Sequence, residues 1–100
     1  MISLSTIGLA RKAGALVIGS ASSVEAVRKN KAELVIISAD TGAAIRKKIT
    51  DKCVFYETDF LEVPYSMEEL SRAAGYKTPV SVLTITDKSF LKIRNTNSEL

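Results

Sequence analysis

The sequence predicts an α/β fold, a compact three-layer α-β-α sandwich around a four-stranded mixed sheet. Two observations carry that expectation. Short β-branched runs alternate with helix-period segments along the whole chain. One run, Glu33-Leu-Val-Ile-Ile-Ser38, is apolar at consecutive rather than alternate positions, the pattern of a strand covered on both faces. One hundred residues suffice for a single domain with one core. No linker, repeat or low-complexity segment divides residues 1–100.

Residues 2–13 read as a first helix, with Arg11 and Lys12 in its last turn and Gly14 just beyond. Ala15-Leu-Val-Ile18 is a short apolar strand ending at Gly19. Ser22 and Glu25 have capping-box spacing and predict a second helix through about Asn30. After the covered strand at 33–38, Asp40 or Thr41 is positioned to cap a third helix. There Ile45, Ile49 and Cys53 recur on one face, Lys48 and Lys52 flank that stripe, and Lys47 points away. Asp59–Val63 predicts a strand stopped by Pro64. A second capping box, Ser66 to Glu69, opens a helix closing at Gly75. Val80–Ile85 is the last strand. Asp87 starts a closing helix with Phe90, Leu91 and Ile93, and the tail from Asn95 is expected to fray.

The composition narrows the chemistry. There is no histidine, the commonest general base and metal ligand, and no tryptophan. The single cysteine, Cys53, rules out an internal disulfide and fits a reducing compartment. On an apolar helical stripe with no histidine to activate it, Cys53 reads as a buried structural thiol. No glycine-rich dinucleotide loop or phosphate loop follows any strand. The expectation is therefore a protein that is not an enzyme, with no catalytic residue, metal or cofactor. No apolar run approaches the ~20 residues that span a bilayer. At the N-terminus the basic pair follows the apolar residues, unlike a secretory signal, so a soluble cytoplasmic chain with no membrane partner is expected.

Charge is uneven. Residues 1–52 carry nine Lys/Arg against four Asp/Glu, whereas 53–100 carry five against seven. The basic residues cluster at Arg11-Lys12, at Arg28-Lys29 with Lys31, and at Arg46-Lys47-Lys48 with Lys52. Solvated helix faces account for such clusters as readily as a polyanion site does, and the asymmetry tilts the balance towards nucleic acid. The segment Gly19–Asp40 joins these features. A glycine permits close backbone approach, and the helix start beyond it offers N–H groups without intrahelical partners. Such an end accepts phosphate or base acceptors, and Ser20, Ser22 and Ser23 add hydroxyls. A purely structural reading stands beside this one, with Ser22 and Glu25 simply capping the helix.

The order of motifs resembles the kink-turn-binding ribosomal protein superfamily, of the L-seven-Ae and L-thirty-e type. The matching pieces are Gly19–Asn30, Ala32–Asp40, Lys48-Ile-Thr-Asp-Lys-Cys53 and Glu69-Leu-Ser-Arg-Ala-Ala-Gly75. Ile7-Gly-Leu-Ala-Arg-Lys-Ala-Gly14 is most similar to the bacterial branch, and the likeness covers roughly residues 5–94. The resemblance implies an α-β-α sandwich that binds structured RNA, either ribosomal RNA or another kink-turn RNA, with the ribosome as a possible host. Its contacts would fall at Gly19, Ser20, Ala21 and Ser22, at Asp40, and in the loop holding Lys77, Thr78 and Pro79, with Arg28, Lys29 and Lys31 supplying charge.

The chain departs from the archaeal pattern at several of these positions. Ala21 and Ser22 stand where archaeal members carry Asn and Glu, Glu25 where they carry Lys, and Ala39 where they carry Glu. Each lost bidentate base contact is worth ~1–3 kcal/mol by analogy with DNA readout. The departures predict weaker, more salt-dependent RNA binding. They also leave a second expectation, a protein-interaction scaffold that keeps the fold and has lost specific RNA binding.

Overall fold

The computed structural model describes residues 2–91 of the chain. Its elements run α1 (Leu4–Lys12), β1 (Leu16–Ile18), α2 (Ser20–Arg28), β2 (Leu34–Ile37), α3 (Ala43–Phe55), β3 (Phe60–Glu62), α4 (Met67–Ala73) and β4 (Val82–Ile85). A further helical turn at 89–91 is opened by the Asp87 carboxylate, which accepts from the Ser89 amide at 2.9 Å. The readings made for Ile93 and for the tail from Asn95 lie outside the described residues.

The expected four-stranded mixed sheet is present, in the order β1-β4-β2-β3. β2 runs parallel to β3 and antiparallel to β4, which in turn is antiparallel to β1. The two central strands are buried at every position, in keeping with the consecutive apolar run at 33–38.

Alternation along β2 divides the core. Leu34 and Ile36 face one layer, with Ile2, Ile7, Ala10, Leu70 and Ala74 of α1, α4 and their approaches. Val35 and Ile37 face the other, with Val27 of α2 and Ile49 and Cys53 of α3. Burial pushes the Cys53 thiol up to about 11, consistent with a structural cysteine. The third member of the expected stripe, Ile45, is 41% exposed and lies outside the core.

The register places four chain segments together. Ile18 sits opposite Leu83, and Ile37 opposite Val82 and beside Glu62, so the ends of β1, β2 and β3 meet the start of β4 at one sheet edge. All four helices begin there. α2 and α3 follow β1 and β2 directly. α4 is joined by the Met67 amide donating to Asp40 Oδ1 at 2.9 Å, and α1 by the Tyr65 hydroxyl donating to the Ile2 carbonyl at 3.1 Å.

All four helices also end alike, each with the paired backbone bonds of a Schellman motif. In α1 the Gly14 amide reaches the Arg11 carbonyl and the Ala15 amide reaches that of Ala10; Asn30, Glu57 and Gly75 close the other three. Glu57 holds this position with φ 55° despite carrying a side chain.

Two expected caps are corrected. No capping box forms between Ser22 and Glu25, because Gly19 adopts φ 103° and ψ 157°, and the helix starts at once with Ser20. Glu25 instead pairs with Arg28 and Lys29. Nor does Asp40 or Thr41 cap α3, whose N-cap is Gly42. Asp40 serves α4, and the Thr41 hydroxyl lies 2.6 Å from that of Ser38. The box at Ser66 and Glu69 is present as expected.

Candidate nucleic-acid interface

The common edge is built from three connections. Gly19 docks on β4 by donating its amide to the Val82 carbonyl at 2.9 Å. Next to it the Ser38 amide donates to the Ser81 carbonyl at 2.8 Å, holding the β2–α3 loop against the end of the 76–81 loop. The Ala39 amide donates to the Tyr65 carbonyl at 2.8 Å, which adds the turn before α4. Gly19, Ser20, Ala21, Ser22 and Asp40 therefore belong to one edge, joined there by Ser81 at the end of the loop that carries Lys77, Thr78 and Pro79. Ala21, Ser22, Asp40 and the three loop residues are exposed, and Gly19 and Ser20 half-buried.

Hydrogen-bond donors distinguish the start of α2. The first intrahelical bond runs from the Ser23 amide to the Gly19 carbonyl, so the amides of Ser20, Ala21 and Ser22 precede the ladder, and no side chain caps them. The start of α3 beside it is likewise uncapped, and neither helix has an acidic residue in its first turn. Both ends carry the unneutralised partial positive charge of a helix N-terminus.

Asp40 is already engaged, and the Met67 amide holds its carboxylate below the usual range. Arg46, one of the basic cluster, pairs with Glu62 and donates to the carbonyls of Ala39 and Thr41, so its charge is used to shape the loop.

The structure does not bring Arg28, Lys29 and Lys31 to this edge. They lie at the far end of α2, about 12 Å along the helix from Ser20. Arg28 and Lys29 share Glu25 there, at 3.3 and 3.4 Å. A different cation, Lys48, lies beside the start of α2. Ser20, Ala21 and Val24 of α2 and Ile45, Lys48 and Ile49 of α3 line a cleft of about 110 Å³. Lys48 makes no ion pair among the described residues. The legible signal was its place beside the Ile45–Ile49 stripe; the neighbouring helix was not legible.

A model of the Ribosomal protein L7Ae/L30e/S12e/Gadd45 family matches residues 3–94. The chain belongs to this family. Among relatives of this L7Ae-type chain is the RNA-binding protein YlxQ of Enterococcus faecium, 33% identical over 89 residues, which are 89% of this chain and 84% of that protein. YlxQ of Bacillus subtilis is 33% identical over 84% of this chain and 82% of its own. A solved structure of a Bacillus halodurans protein of unknown function superposes with a TM-score of 0.83 at 32% identity, covering 97% of this chain and 96% of that one. The Giardia lamblia 15.5kD RNA binding protein shares the L7Ae fold, with a TM-score of 0.81 at 22% identity over 96% of this chain and 84% of that chain.

Proposed function

We propose that this L7Ae-type chain is a non-catalytic RNA-binding protein that grips a structured, kink-turn-like RNA at the edge where its helices begin. The observation that supports this reading best is the convergence of the uncapped α2 start, the β2–α3 loop and the 76–81 loop on that edge. The names of the YlxQ relatives point the same way. Backbone amides of Ser20–Ser22 bind phosphate or base acceptors, the Ser20 and Ser22 hydroxyls reach sugar or base edges, and Lys48 and Lys77 supply charge. With Ala21 and Ser22 in place of amide and carboxylate side chains, recognition rests on shape and backbone. Affinity accordingly falls steeply with salt.

Titration of a kink-turn RNA at two salt concentrations tests this. Micromolar or tighter binding is expected at low salt, with Lys48→Glu weakening it more than Lys31→Glu, because only Lys48 stands beside Ser20. No binding at micromolar protein in low salt would sink the reading, leaving the protein-interaction scaffold.

A further inference from the structure

Beyond the edge, the solvent face of α3 carries a second concavity of about 530 Å³, lined by Lys48, Asp51, Lys52, Phe55 and Tyr56. Its aromatic floor is unusual for a helix end. Phe55 is 77% exposed, and its ring stands edge-to-face with that of Tyr56, centroids 4.9 Å apart. Neither ring belongs to either core layer, and Phe55 stands largely in solvent.

The cations that line the same concavity are available. Lys47 holds Asp51 at 2.9 Å, whereas Lys48 and Lys52 make no ion pair among the described residues. One turn apart on the helix, these two lysines are neighbours. Lys48 also lines the cleft beside Ser20, so the groove starts where the candidate interface stops.

Exposed aromatic rings beside lysines make a surface on which unpaired bases stack while their phosphates meet the cations. A protein partner fits less well, because the centre of a protein–protein interface is depleted of lysine. We propose that this groove holds unpaired nucleotides flanking the structured RNA, with bases stacked on Phe55 and Tyr56 and phosphates against Lys48 and Lys52. The inference rests on the RNA-binding reading of the edge.

The test compares a blunt kink-turn stem with the same stem carrying a short unpaired uridine extension at either end, by fluorescence anisotropy. An extension at one end is expected to tighten binding about five- to hundredfold, the range of base–aromatic stacking. Phe55→Ala should remove that gain and leave blunt-stem affinity unchanged, while Phe55→Trp should keep it. Since Phe55 is mostly in solvent, neither change touches the core. If the blunt stem binds and neither extension adds affinity, or if Phe55→Ala keeps the gain, the groove proposal is overturned and the edge reading stands. If neither RNA binds, both fall. A wild-type dimer that Phe55→Ala makes monomeric, with the RNA titrations unmoved, also overturns it by assigning the rings to a second copy.

Discussion

The two helical layers are finished differently. On one face of the sheet, Ser3 and Ser66 accept hydrogen bonds from the first turns of α1 and α4, and Glu69 completes a box at the latter. On the other face α2 and α3 start from glycines with no side-chain cap. The buried hydroxyls without a partner among the described residues, Ser23 and Thr84, also fall in the α2 and β4 elements of the molecule. Alternation from Val82 turns Thr84 towards the α2–α3 layer. One layer caps its helix starts with side chains; the other leaves them open, and the open amides lie on the edge proposed to bind RNA. On the proposed reading, the contrast assigns the missing caps to a binding surface rather than to careless folding.

The strongest way to break that contrast is at Gly19. Its φ of 103° with ψ 157° falls in a region essentially reserved for glycine, although a Cβ there would meet no neighbour within 4 Å. Gly19→Ala is expected to cost about 1–3 kcal/mol by denaturant unfolding, from backbone strain alone. Gly42→Ala, at φ −63°, serves as the unstrained control. Equal stability of both variants would remove the glycine-led geometry from the explanation.

Ser20→Pro sharpens the comparison on the binding side. Proline suits the first helical position, so stability should hold, while one open amide disappears. Losing this amide together with the Ser20 hydroxyl is expected to weaken RNA binding about tenfold or more. Unchanged binding by this variant would argue that neither the amide nor the hydroxyl of Ser20 faces a ligand.

On the closed layer, Ser66→Ala should lower stability by about 1 kcal/mol and leave RNA affinity alone. If RNA affinity drops as well, the layers are not functionally separate. The last variant, Thr84→Val, replaces an orphan buried hydroxyl with a methyl group of similar shape. It should leave stability unchanged or raise it by up to about 1 kcal/mol in thermal unfolding. A clear loss would reveal a hydrogen bond to ordered water.

These differences also mark how far the letters of the chain could be read. The central strand at 34–37 was legible because four consecutive apolar residues admit few other roles. The Ser66 box was legible because its partners are three residues apart. Ser22 and Glu25 show the same spacing and form no box, since the deciding variable is the backbone conformation of Gly19. Arg28 and Lys29 looked like neighbours of that glycine in sequence, and a helix carries them to its other end. Lys48 and Ser20 are 28 positions apart and share a cleft through the packing of α2 on α3, which no local pattern encodes.

The uncapped start of α2 has a consequence for how such a protein changes over time. Donors at Ser20, Ala21 and Ser22 belong to the main chain, and every residue except proline supplies the same N–H. If these amides hold the RNA as proposed, side chains there are free to drift, altering which RNA is preferred while the grip itself is inherited unchanged. A lineage can in this way retune its target through single substitutions, without passing through an ancestor that binds nothing.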